Sequence, residues 1–120
     1  MATVTDIEDL MSRIRAFAEA RAWERFHTPK NLAMALAGEA GELLAELQWL
    51  GDEEIAAALS EQDRRDRVRM ELADVFMYLL RFADVTGIDL AQATLDKMAR
   101  NELRYPVEKS RGKSAKYDEL

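Results

Sequence analysis

Gly38-Glu39-Ala40-Gly41-Glu42-Leu43-Leu44-Ala45-Glu46-Leu47-Gln48-Trp49 is the stretch from which the rest of the chain can be placed. It is answered downstream by Glu71-Leu72-Ala73-Asp74-Val75-Phe76-Met77-Tyr78. Each carries acids three residues apart, Glu39 with Glu42 and Glu71 with Asp74, a spacing that puts both carboxylates on one face of a helix. On a helical wheel with Glu39 at zero, Glu42 falls at about 300° and Glu46 at about 340°; Leu32, Leu36, Leu43, Leu47 and Leu50 cluster between about 20° and 80°. With Glu71 at zero, Asp74 lies near 300°, and Val68, Leu72, Val75, Leu79 and Phe82 span roughly 20° to 100°. In both segments the acids border the apolar seam instead of opposing it. Two helices packed along these seams would gather four or five carboxylates at the edge of a core, where repulsion and lost hydration call for cations. One such pair alone describes an ordinary solvated face; two pairs flanking two seams, neither matched by Lys at i+4, make divalent metal binding an equal reading.

Working outward, two prolines, five glycines and no alternating strand pattern predict an all-α chain. A first helix is expected from near Thr5, where Thr5-Asp6-Ile7-Glu8 has the capping-box form, to about Ala22, with Leu10, Ile14 and Phe17 on its apolar stripe. Thr28-Pro29 suits the start of a second helix that runs to Leu50 and stops at Gly51. A short helix over Asp52–Leu59 follows, then a third long helix from Ser60 or Asp63 to about Val85, ended by Thr86-Gly87. Asp89 caps a fourth, which runs to about Leu103 before Tyr105-Pro106. The fold class read from this is a four-helix-bundle-like single domain over residues 1–106. A basic tail over residues 107–120 (Lys109, Arg111, Lys113, Lys116) is read either as a free end or as a strap ordered over bound phosphate.

Composition narrows the function classes. At 120 residues and 48% apolar content the chain makes one modest core. With no cysteine, disulfides and thiolate metal sites are excluded. A net charge of −6 argues against nucleic-acid polymers as partners. No apolar run reaches bilayer length and the first residues lack a signal pattern, so a cytoplasmic protein without membrane association is expected. His27 is the only histidine, and neither acid pair contains one. The all-oxygen ligand set suits Mg²⁺, or Mn²⁺, over zinc or iron.

Other residues divide between plain and functional readings. Trp23, Phe26, Trp49 and Tyr78 could be core; Trp49 (about 280°) and Tyr78 (about 340°) nevertheless fall on the acid side of their helices, where a flat ring can stack on a nucleobase. His27 is either a helix-entry residue or a contact to base or sugar. Lys97, Asn101 and Arg104 share one face of the fourth helix, which is either a solvated face or a grip on phosphate oxygens. Phe76, Leu79, Leu80 and Phe82 cover enough of the third helix to leave an apolar flank for another subunit.

Glu39-x-x-Glu42 with Glu71-x-x-Asp74 resembles the acid signature of the all-alpha nucleoside triphosphate pyrophosphohydrolases, the MazG-like superfamily. Trp23-Glu24-Arg25-Phe26-His27-Thr28-Pro29-Lys30-Asn31-Leu32, Gln48-Trp49, Asp74-Val75-Phe76-Met77-Tyr78-Leu79 and the ending from Arg104-Tyr105-Pro106-Val107 to Lys116-Tyr117 are similar to its dCTP pyrophosphatase branch. The resemblance implies Mg²⁺ on Glu39, Glu42, Glu71 and Asp74, and a nucleoside pocket of Trp23, Phe26, His27, Trp49 and Tyr78. It also implies phosphate contacts from Lys97, Asn101 and Arg104, and α–β cleavage of a nucleoside triphosphate by metal-assisted water attack, with Glu39, Glu42 or Glu46 as base. It further implies a homo-oligomer, usually a tetramer built as a dimer of dimers with pockets between subunits. The rivals are housecleaning of other noncanonical triphosphates, another branch's substrate such as phosphoribosyl-ATP, and a non-catalytic helical interaction module.

Overall fold

The computed structural model describes residues 6–120, all of whose regular elements are helical. They are α1 (Ile7–Ala20), α2 (Pro29–Ala45), α3 (Asp52–Ala58), α4 (Gln62–Thr86), α5 (Leu90–Arg104) and α6 (Val107–Ser110), with single 3₁₀ turns at Glu24–Phe26 and Tyr117–Glu119. None of the described helices is long and apolar enough to cross a membrane. The chain divides into two compact units, Met1–Gly87 and Ile88–Leu120.

In the first unit α4 is the centre, with α2 and α1 packed on it. The fully interior positions are small or close-fitting: Ala18 from α1, Leu32 from α2, Leu80 and Ala83 from α4. Leu80, expected on an uncovered flank, is wholly buried, because α1 and α2 both close on its side of α4. Phe76 stays 40% exposed, together with Leu72 beside it and Met34 and Leu44 on α2.

Local chemistry places the helix ends. Asp6 caps α1 by accepting from the Asp9 amide at 2.8 Å; Thr5, the expected cap, lies outside the described residues. The helix stops at Ala20, two residues short of expectation, because Ala22 takes a left-handed backbone (φ 52°) that turns the chain toward Trp23. Thr28 caps α2 through the Asn31 amide, with Pro29 in its first turn, as its sequence predicts. Gly87, at φ 70°, ends α4 in the left-handed region where a side chain would be strained.

α2 departs from expectation at its end. It closes at Ala45, not Leu50, and the chain tightens into i→i−3 bonds from Glu46 to Leu43 and from Leu47 to Leu44. Long-range bonds meet this turn. Arg64 of α4 donates Nη1 to the Glu46 carbonyl at 2.6 Å, and Arg67 donates Nε to both Glu46 carboxylate oxygens at 3.1 and 3.2 Å. Gly51, expected to end α2, instead precedes α3 in extended conformation (φ −75°), its amide donating to Glu54 Oε1.

The second unit contains α5, α6 and the final 3₁₀ turn. Asp89 caps α5 through the Gln92 amide. Beyond α5, Tyr105 meets Tyr117 edge-on at 6.3 Å and the Arg104 guanidinium lies 4.5 Å from the Tyr117 ring centre. The last residues thus fold back on the end of α5, held by ring and cation–ring contacts.

Candidate functional site

The packing of α2 on α4 brings the two acid-bearing segments together. Carboxylate oxygens of Glu39, Glu71 and Asp74 all lie within 4.8 Å of one another, and all three side chains are half-buried. Among the described residues no Lys or Arg forms an ion pair with any of them. Glu71 Oε2 is shut off from solvent and has no hydrogen-bond partner. Burial first, then the close approach and charge of Glu39, then the charges of Asp74 and Glu42, hold the Glu71 carboxyl above its ordinary range.

Glu42 stands apart from this trio. It is exposed, one turn beyond Glu39 on α2, yet close enough for its charge to act on Glu71. Glu46 is committed elsewhere, its carboxylate held by Arg67.

Beside the acids runs a cleft of about 120 Å³, open to solvent and lined by Ile14, Phe17, Ala18, Trp23, His27, Glu39, Asp74, Met77, Tyr78 and Arg81. Its wall is an aromatic chain. Phe17 and Trp23 meet edge-on at 5.8 Å, and Trp23 and His27 at 6.2 Å. The Arg21 guanidinium, 3.6 Å from the Phe17 ring centre, braces the outer end. Arg81 Nε donates to His27 Nδ1 at 3.0 Å, and Arg81 Nη1 donates to Asp84 Oδ2 at 3.2 Å. Arg15 of α1 grips Asp84 with both prongs, Nε to Oδ2 at 2.8 Å and Nη2 to Oδ1 at 2.7 Å. Burial, with the Arg81 charge second, lowers the His27 pKa; hydrogen bonds and charge from Arg15, then Arg81, lower that of Asp84.

Of the residues singled out from sequence, Glu39, Glu71 and Asp74 converge, and Trp23, His27 and Tyr78 line the adjoining cleft. Phe26 and Trp49 do not line it in the single chain. Phe26 is half-exposed under Arg25, and Trp49 is 87% exposed in the turn after α2, where helical angles no longer apply. Lys97, Asn101 and Arg104 lie on α5 in the second unit. Sequence reasoning missed Arg81 and the part played by α1. Phe17 carried a signal as an aromatic on the α1 stripe; Arg81 carried only its place in an otherwise apolar turn, Leu79-Leu80-Arg81-Phe82.

The acids meet the requirements of a hard cation: three convergent oxygen donors, one of them buried and unpartnered, with no internal counter-ion among the described residues. A flat, part-apolar cleft beside such a centre can take a planar ring at one end and anionic groups at the other.

Known proteins share this sequence and architecture. The MazG-like family matches residues 35–120. A dCTP pyrophosphatase 1 from Bos taurus is 43% identical over 114 residues, covering 95% of this chain and 68% of that protein. Its Homo sapiens counterpart is 41% identical over 114 residues, covering 95% and 67%. The crystal structure of a pyrophosphatase from Archaeoglobus fulgidus DSM 4304 superposes with a TM-score of 0.80 at 37% identity, over 88% of this chain and 97% of that one.

Proposed function

The chain belongs to the MazG-like family, is a hydrolase acting on acid anhydrides, and on that premise we propose that it cleaves dCTP, native or base-modified, between the α- and β-phosphates. The products are the nucleoside monophosphate and pyrophosphate. The observation that carries the reading is the junction of the Glu39–Glu71–Asp74 trio with the aromatic cleft, which sets a cation site beside a base-sized slot. The dCTP pyrophosphatases at 41–43% identity support the choice of nucleotide.

Glu39, Glu71 and Asp74, with Glu42 at the rim, would hold Mg²⁺ or Mn²⁺. Such an ion, when bound, neutralises the triphosphate and makes water a better nucleophile. The protein's own part is to bind, orient and exclude. Trp23 and Phe17 offer ring faces and edges to the base, Tyr78 and His27 offer polar tips, and the acids set the reacting phosphate a fixed distance from the base slot. Glu39 or Glu42 is the candidate to orient the attacking water. Glu46 is the weaker candidate, because Arg67 holds its carboxylate.

Lys97, Asn101 and Arg104 are proposed to grip the outer phosphate oxygens, and the basic tail to close over them. Assembly as a dimer of dimers is proposed from the exposed Met34, Leu44, Leu72 and Phe76, an apolar surface that a second copy would cover. It would also give Trp49 and Phe26 a route into a pocket completed by a neighbour.

The test is a panel of canonical, methylated and oxidised triphosphates with Mg²⁺, scoring which monophosphate and how much pyrophosphate appear. Preferred release of dCMP or a modified dCMP is the expected result. Equal turnover of purine and pyrimidine triphosphates refutes the base assignment, and release of phosphate without pyrophosphate refutes the bond assignment. Light scattering of the purified protein tests the tetramer.

A further inference from the structure

Arg81 is a buried cation in the cleft wall that neither the metal site nor the phosphate grip uses. Its side chain is 6% exposed, and its bonds run to His27 Nδ1 and to Asp84, which Arg15 holds from the other side. A guanidinium has donors only and stays charged at any ordinary pH, so the ring nitrogen that faces it must be the bare one. In a neutral imidazole the single proton then sits on Nε2. The hydrogen bond left to the ring is a donor.

We infer that Arg81, anchored by Asp84 and Arg15, is a positioning residue that fixes His27 as the Nε2–H tautomer, so that the ring offers the cleft's ligand a donor and never an acceptor. The inference rests on the cleft being the base slot. A ring nitrogen that carries no proton, like N3 of cytosine, accepts from that donor. Uracil and thymine carry N–H at N3, and N–H set against N–H leaves two desolvated donors unpaired. The relay is thus a device for preferring cytosine over uracil and thymine. A histidine without it could present either nitrogen and read either edge.

Because His27 is the only histidine, its ring can be observed without overlap. Nitrogen-15 imidazole spectra of the labelled full chain at neutral pH should show one protonated and one bare nitrogen, with Nε2 carrying the proton. Arg81→Met should move both signals toward the averaged positions of exchanging tautomers. In steady-state assays with Mg²⁺, Arg81→Met should raise KM for dCTP more than it lowers kcat, and should cut the dCTP-over-dUTP ratio of kcat/KM about tenfold, the scale of one hydrogen bond in discrimination. In a His27→Ala background the same substitution should leave that ratio unchanged. A purely structural Arg81 would act equally in both backgrounds.

An Nδ1–H or averaged ring in the wild-type protein overturns the inference, and so does an undiminished dCTP-over-dUTP ratio in Arg81→Met. The wild-type spectrum decides the tautomer even if Arg81→Met fails to fold, and Asp84→Asn loosens the same anchor one bond further out. A fixed Nε2–H ring in a protein that hydrolyses no triphosphate upholds the tautomer and sinks the nucleotide reading, so the two failures are distinguishable.

Discussion

Replacing Asp84 by alanine tests whether the buried network is as costly to break as its geometry implies. The Asp84 side chain is 15% exposed and takes three hydrogen bonds, two from Arg15 and one from Arg81. Arg15 is 45% exposed, so water can take up its charge when the carboxylate goes, and its share of the loss is small. Arg81 has no such recourse, being 6% exposed and left with His27 as its one partner. Stranding a buried charge that has lost a charge-assisted bond costs about 2–3 kcal/mol. At roughly 4 °C per kcal/mol for a chain of this size, Tm should fall by about 8–12 °C, measured by thermal denaturation at fixed protein concentration. Asp84→Ala combined with Arg81→Met removes both charges and should cost less than the two single changes summed. The pH dependence follows from the depressed Asp84 pKa. A carboxyl held below its unfolded value of about 3.9 contributes stability that is complete above that value and is lost as pH falls through the folded value. The gap between wild type and Asp84→Asn should therefore be full at pH 6, begin to shrink below about pH 4 and vanish only below the folded value. A loss under about 1 kcal/mol at pH 6, or a gap that does not shrink as pH falls below about 4, would show that the network carries no such weight.

The metal site makes further predictions. Asp74→Ala should cut Mg²⁺-dependent turnover by at least about a thousandfold with helical circular dichroism retained; residual activity near wild type would remove Asp74 from the ligand set. Mg²⁺ at about 100 times its Kd should stabilise the wild type by about 2.7 kcal/mol, and Glu71→Gln should abolish that shift in a melting series. In metal-free buffer Glu71→Gln should instead raise Tm, since it removes one of three crowded carboxylates and gives the buried, unpartnered Oε2 position an amide. Trp23→Phe should remove most of the fluorescence change on adding nucleotide to the metal-loaded protein; an unaltered change would place the responding indole at Trp49.

The acids were legible in the sequence because helical periodicity sets each pair on one helix face, and α2 does pack on α4 with Glu39, Glu71 and Asp74 together, although Leu72 of the expected α4 seam is 53% exposed and the buried positions are Leu80 and Ala83. The same arithmetic failed from Glu46 onward. It assumes an unbroken helix, whereas α2 closes at Ala45 and tightens into a turn, where two arginines of α4 bond Glu46 across 18 and 21 residues. Nothing local announces such a bond. The angle for Trp49 therefore had no regular helix to refer to. Glu42 met a subtler limit. It shares a face with Glu39 but lies one turn on and exposed, outside the trio, though its charge still reaches Glu71. Arg81 was illegible for a related reason, since its partner His27 is 54 residues away. Burial of an arginine cannot be read from an apolar neighbourhood that would equally suit an arginine reaching out to water.

The placement of Arg81 also bears on the proposal that the acids take an outside cation. Arg81 lines the same cleft as Glu39 and Asp74 and would be their natural counter-ion. Its guanidinium is instead bonded to Asp84 on α4 and to His27, with Arg15 holding Asp84 in place. An arginine turned onto the trio would satisfy the orphaned Glu71 oxygen and lower the raised Glu71 pKa, and it would fill the space a divalent ion needs. By fastening Arg81 to a carboxylate outside the trio, the fold keeps three oxygen donors unneutralised. It accepts their mutual repulsion as the cost of leaving the position to a removable ion. Asp84→Ala, beyond its stability cost, should therefore leave the stranded Arg81 charge uncompensated beside the trio. Apparent Mg²⁺ affinity should then fall severalfold, read by titration calorimetry at a temperature where the variant is folded. Unchanged affinity would mean that Arg81 is held away by packing alone.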